Sequence, residues 1–285
     1  MVTMVWLAVG LVLLASIILA VSKITALGRP NPVKDDEDPA NMLEGVPTLF
    51  IPGYFGNRFS FGRLLNRMTK RYGAHKSMVV KVDRHGNIHV SGTLSKSKAL
   101  IQILFAKKAS RPQEQAVWLS QILDLLQTRY GIRKVNLVGY SMGCITIFWF
   151  LTHQSQSGLV AVKHVVAIAG PFNDSEIARS TNEVDAYPLS PKGPVKRMPI
   201  YRALAKRIFE IPKDIKVLNI AGRISNLQQD DGEVSVNSAF SLRYLLREPV
   251  AQYHELVIRG KRASHRLLHE NAIVDASIAK FIWNL

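Results

Sequence analysis

The sequence predicts an α/β protein with a mostly parallel central sheet and helices on both faces. Two observations predict it. Apolar runs of strand length alternate with stretches whose apolar residues recur at helical spacing, the pattern of a sheet covered on both sides. The chain has 285 residues, 47% of them hydrophobic and 20% charged, which suits one sizeable core, and no internal repeat divides it.

The first 22 residues carry no charge, and Met4 to Val21 is apolar apart from Gly10 and Ser16. As a helix that run would rise about 27 Å, close to the hydrocarbon thickness of a bilayer. Residues 1–22 therefore read as a transmembrane anchor; Ala20-Val21-Ser22 would serve as a cleavage site if the segment were a signal peptide instead. Residues 23–45 read as a tether, with Gly28-Arg29-Pro30-Asn31-Pro32 followed by the acidic run Asp35-Asp36-Glu37-Asp38. Residues 46–285 form the expected domain.

Within that domain Val46 to Ile51 reads as a buried strand ending in Pro-Gly. Met78 to Val82 and Ile88 to Val90 flank Asp83-Arg84-His85-Gly86-Asn87 and read as a hairpin. Ile101 to Phe105 is a further strand, and Gln113 to Tyr130 an amphipathic helix with Ala116, Leu119, Ile122, Leu123 and Leu126 on one face. Val135 to Val138, Lys163 to Ala169, Ile215 to Ala221 and Gln252 to Ile258 complete the strands. A cap is expected over about residues 173–214. In it, Ile200, Leu204, Ile208 and Phe209 recur at helical spacing among eight basic residues between Lys192 and Lys216. This predicts a basic amphipathic helix.

Charge narrows the partners. There are 37 basic and 21 acidic residues, a formal net charge of +16. Such a surface favours polyanions. Nucleic acid is disfavoured, because the chain has no zinc-finger spacing, no aromatic RNA-binding signature and no P-loop. Anionic lipid or a cell-wall polymer remains, in keeping with an anchor. Cys144 is the single cysteine, which excludes a disulfide framework and a cysteine-based zinc site.

The chemistry lies at the strand ends, where ligands sit in sheets of this kind. Gly139-Tyr140-Ser141-Met142-Gly143 matches G-x-S-x-G between an expected strand and an expected helix, a turn so tight that it needs glycine two residues to either side of the serine. A serine hydroxyl needs a base and an orienting carboxylate. The loop Gln228 to Val234 supplies carboxylates after one strand, and Ala263 to Asn271 supplies His265 and His269 after the next. His265, in the loop just past the strand, is the expected base; His269 falls on the expected final helix. The other six histidines read as packed or solvated.

These segments, together with Thr48-Leu49-Phe50-Ile51-Pro52-Gly53-Tyr54 and Ala169-Gly170-Pro171-Phe172-Asn173, resemble the bacterial cell-surface hydrolases of the alpha/beta-hydrolase superfamily, whose substrate is unassigned. The resemblance covers residues 46–285. It implies Ser141 as nucleophile, His265 as general base and Asp231, rather than Asp230, as acid, with an oxyanion hole at the Tyr54 and Met142 amides. Two departures stand out: Pro52-Gly53 where the family has His-Gly, and Tyr140 where it often has His. Neither removes a backbone donor. The expected activity is hydrolysis of a carboxylic ester on a small molecule or lipid, without metal or organic cofactor. The competing expectations are an acyltransferase or thioesterase using the same residues, and a catalytically silent binding protein that keeps the fold. The basic residues Lys23, Arg29 and Lys34 follow the anchor, which by the positive-inside rule places the domain in the cytoplasm, whereas the resemblance points to the outer face.

Overall fold

The apolar runs pair into one eight-stranded sheet in a computed structural model that describes residues 2–32, 45–94, 98–153, 160–174, 184–246 and 250–285. Its strands begin with β1 (Thr48–Ile51), β2 (His75–Val82), β3 (Ile88–Gly92), β4 (Ala99–Phe105), β5 (Lys134–Tyr140) and β6 (Ala161–Ile168). A short separate hairpin follows, β7 (Leu189–Ser190) and β8 (Gly193–Pro194), and then β9 (Lys216–Arg223) and β10 (Gln252–Arg259). The spatial order is β10-β9-β6-β5-β1-β4-β2-β3. Every neighbouring pair in it is parallel except the β2–β3 hairpin, which is antiparallel as expected.

The helices are α1 (Val2–Ala26), α2 (Arg58–Tyr72), α3 (Pro112–Tyr130), α4 (Met142–His153), α5 (Pro199–Ala205), α6 (Val236–Phe240), α7 (Leu242–Leu245), α8 (His265–Leu268) and α9 (Ala272–Trp283). They divide between the faces. Leu49 and Ile51 of β1 point to a core shared with α3, α4 and α5, whereas Phe50 points to the core under α2 and α9, as the two-residue period of a strand requires. All three are buried, and β1 lies between β5 and β4 with Phe50 opposite Val138 and Gln102. Helix α2 is not among the expected elements. Five basic residues mask its apolar stripe of Phe61, Leu64, Leu65 and Met68, which has the i, i+3, i+4, i+7 spacing of a half-buried helix. Asn57 caps it through the Phe59 amide at 2.8 Å and Ser60 reciprocates to the Asn57 amide at 3.1 Å, so its start is fixed.

Two expectations need correction. The cap contains no long basic helix among its described residues: α5 is seven residues, and a 3-10 turn, Ile208–Glu210, follows it. Ile200 and Leu204 are buried as the spacing predicts, but Phe209 is exposed because the helical phase breaks at Lys206. The second correction concerns the anchor's end. The helix continues to Ala26, four residues into the expected tether, and residues 27–31 are tied to the domain. Val9–Ala26 is long and apolar enough to cross a membrane and is not buried. The acidic run at 35–38 lies outside the described residues.

Candidate active site

The site forms at the carboxyl end of β5, where the chain turns into α4. Ser141 occupies that turn with φ 53°, a left-handed conformation that a residue with a β-carbon holds only under strain. The turn is locked by the Ser141 amide donating to the Ile168 carbonyl at 2.8 Å and the Cys144 amide to the Ser141 carbonyl at 2.9 Å. Gly143 is required because a β-carbon there would stand 2.3 Å from the Ile51 carbonyl oxygen. The strained turn thus brings β1 and the start of α4 together beside the serine.

The carboxyl ends of β9 and β10 supply the partners. Asp231 follows β9 and is buried; its Oδ1 accepts the amides of Glu233 at 3.0 Å and Val234 at 2.7 Å, which fixes the carboxylate. Its Oδ2 lies 2.8 Å from His265 Nδ1, and His265 Nε2 lies 3.0 Å from Ser141 Oγ. The His265 amide also donates to the Asp231 carbonyl at 2.8 Å, so the two loops are tied by backbone as well as side chain. Asp230 points elsewhere and accepts the Gly232 amide. Of the expected side chains, then, Ser141, Asp231 and His265 meet. His265 is the first residue of α8 rather than a loop residue, and His269 follows α8 instead of lying on the final helix. His269 packs edge-on against Tyr140 with its ring centroid 4.7 Å away.

The electrostatics favour a charged imidazole. Burial pulls the His265 pKa down, but the Asp231 charge and hydrogen bond, aided by Glu233, outweigh it and raise the pKa above its ordinary value. Two contributors escaped the sequence reading. Glu233 Oε2 stands 3.5 Å from His265 Nε2, on the same side as the serine. The buried Tyr140 hydroxyl donates to the His265 carbonyl at 3.0 Å, which uses the position that departs from the family pattern to hold the histidine loop. Both depend on contacts across strands and could not be found from spacing.

Backbone donors flank the serine. Met142 is the first residue of α4, so its amide has no intrahelical acceptor, and the helix directs its positive end there. In the turn after β1 the Phe55 amide is committed to the Lys108 carbonyl at 3.0 Å, whereas the Tyr54 amide has no acceptor among the described residues. A serine hydroxyl, an imidazole, a carboxylate and two free amides in this arrangement have the geometry to support attack on a carbonyl.

The model of the family described as alpha/beta hydrolase of unknown function (DUF915) matches residues 36–285. The chain belongs to this family. Among solved structures, this DUF915 protein is similar to the lin2722 gene product of Listeria innocua at 25% identity and a TM-score of 0.76, over 85% of this chain and 95% of that one. It is also similar to a proposed cell surface hydrolase of Lactobacillus plantarum WCFS1 at 21% identity and a TM-score of 0.66, over 84% of this chain and 90% of that one. No curated protein matches. The DUF915 chain is therefore an alpha/beta hydrolase by fold and family, and its chemistry has to be argued from the site.

Proposed function

We propose that the protein is a serine hydrolase that cleaves a carboxylic ester through an acyl-enzyme on Ser141. The observation that carries this reading is the continuous path from Ser141 Oγ to His265 Nε2 at 3.0 Å and from His265 Nδ1 to Asp231 Oδ2 at 2.8 Å. Neutral His265 takes the serine proton as Oγ bonds to the carbonyl carbon. The resulting oxyanion accepts from the Tyr54 and Met142 amides, each worth about 3 kcal/mol to the transition state. Imidazolium then gives its proton to the departing alkoxide. Water, deprotonated by the same imidazole, releases the acid and restores Ser141. Asp231 keeps Nδ1 protonated throughout, so Nε2 faces the serine as a base. This sequence calls for no cofactor.

Activity on a short-chain p-nitrophenyl ester tests the assignment. Ser141→Ala and His265→Ala should each lose about four to six orders of magnitude in kcat, while His269→Ala keeps most of it. Equal losses at the two histidines would contradict the choice of base. A silent scaffold would show no turnover above the Ser141→Ala background, and an acyltransferase or thioesterase would prefer an added alcohol acceptor or a thioester.

We further propose that α1 anchors the protein in a membrane with the domain on the outer face, alongside anionic lipid or wall polymer. Support comes from the length and apolarity of Val9–Ala26. Protease added to intact cells should remove the domain; full protection would place it inside.

A further inference from the structure

Building on the serine-hydrolase reading and on α1 crossing a bilayer, we propose that the docked exit of α1 holds the active-site end of the domain against the membrane, so that the substrate is an acyl ester resident in that membrane. The direction of the chain supports this first. Helix α2 starts at the active-site end, six residues intervening after β1 ends at Ile51, and runs back toward the opposite end. Residues 27–31 follow it. A β-carbon on Gly62 would stand 2.8 Å from the Leu27 carbonyl oxygen, and one on Gly28 would stand 3.4 Å from the Arg58 β-carbon. Three residues later, Asn31 Nδ2 lies 3.4 Å from Thr69 Oγ1, and the Asn31 amide donates at 2.8 Å to the Lys76 carbonyl, near where β2 begins. Thr69 is seven residues further along than Gly62, or about 10 Å of helix. The segment therefore descends away from the active-site end, and α1 arrives from that end.

The junction is fastened. Leu27 is buried, and Lys76, fully buried, donates its ammonium to the Leu27 carbonyl at 2.8 Å. That carbonyl belongs to the turn closing α1, because the Leu27 amide itself bonds the Ile24 carbonyl, so the cation sits at the negative end of the helix. Burial lowers the Lys76 pKa to about 8, in keeping with an amine held inside the fold rather than in water.

The surface beside the junction has the chemistry of a bilayer interface. Tyr54 and Phe55, in the turn that flanks Ser141, are 43% and 56% exposed and pack edge to face, and Phe59 in the first turn of α2 is 37% exposed. Arg58 and Arg63 are exposed around Phe59, with the Arg63 guanidinium 5.8 Å from its ring centroid. Across its length α2 carries five basic residues and no acidic one. Exposed aromatic rings among arginines suit the headgroup level of an anionic leaflet. A substrate whose acyl carbonyl lies at that level would reach Ser141 without leaving the membrane.

Site-directed fluorescence on the full chain in phosphatidylcholine–phosphatidylglycerol vesicles tests the orientation. Cys144 is the single cysteine and is buried, so Phe59→Cys and Lys134→Cys each give one accessible thiol for a fluorophore. Lys134 starts β5 and is exposed, about 20 Å of strand from the serine end. Headgroup spin-labelled lipid should quench the probe at position 59 several-fold more than the probe at 134. Equal quenching, or stronger quenching at 134, would overturn the orientation. The substrate class is tested in the same vesicles with a fluorogenic long-chain acyl ester, which should be cleaved about ten-fold faster in the protein's own vesicles than when supplied in separate ones. Equal rates, or cleavage of soluble ester alone, would overturn the membrane-resident substrate. Loss of soluble-ester turnover as well would instead defeat the hydrolase reading, and the quenching comparison would still decide the orientation.

Discussion

In the proposed mechanism His265 must be neutral to accept the serine proton, yet its surroundings favour the cation, and this opposition would govern the pH dependence. With its pKa raised above the ordinary imidazole value, the acid limb of kcat/KM should lie above about pH 6.5. Part of that elevation comes from the half-exposed Glu233 carboxylate. Glu233→Gln removes the charge that favours imidazolium, so the limb should move to lower pH; a pH–rate profile with an unmoved limb would show that Glu233 does not act on the base. Tyr140→Phe removes the donor to the buried His265 carbonyl at nearly constant volume and should cost about 1–2 kcal/mol in urea denaturation. At this scale the sequence was informative about which side chains meet at the strand ends. Ser141 directly follows β5, Asp231 and His265 lie in the segments after β9 and β10, and the topology brings those ends together. Glu233 and Tyr140 act through partners in other loops, which no local pattern encodes.

Among the elements, α2 has the most consequences beyond its own packing. Its Arg67 donates to Asp275 at 2.5 and 2.9 Å, to Glu270 at 2.6 Å and to the His269 carbonyl at 3.0 Å, linking α2 to α9 and to the residues just after α8. Asp275 is fully buried, so Arg67→Met would leave a buried carboxylate unpaired and should cost about 3–5 kcal/mol, read by urea denaturation. A change within 0.5 kcal/mol would show that the carboxylate finds another partner. The strands of the eight-stranded sheet were legible to within a few residues from their apolar runs, whereas the short hairpin β7–β8 was not. Helix α2 was hidden by its arginines, and the cap was misjudged because spacing alone cannot tell a long helix from a short one followed by a 3-10 turn.

For the molecule as a whole, the membrane reading proposed above would join the +16 charge and the apolar N-terminal helix in one arrangement. The hydrolase sheet supplies a rigid frame: Phe50, on the central strand β1, is fully buried between the faces, and Phe50→Ala should lower stability by about 3–5 kcal/mol while leaving the site residues in place. The fold class was readable from the alternation of strands and helices. The docking of residues 27–31 was not, because a Gly-Arg-Pro-Asn-Pro segment looks like solvated linker until Lys76 and Gly62 are seen beneath it. The central claim, that this frame presents a nucleophilic serine, is tested most directly by mapping the adduct of a fluorophosphonate probe by mass spectrometry. The peptide containing Ser141 should carry the adduct in the wild type, no adduct should form in Ser141→Ala, and labelling should slow by orders of magnitude in His265→Ala. An adduct on another residue, or labelling that persists in Ser141→Ala, would contradict the account.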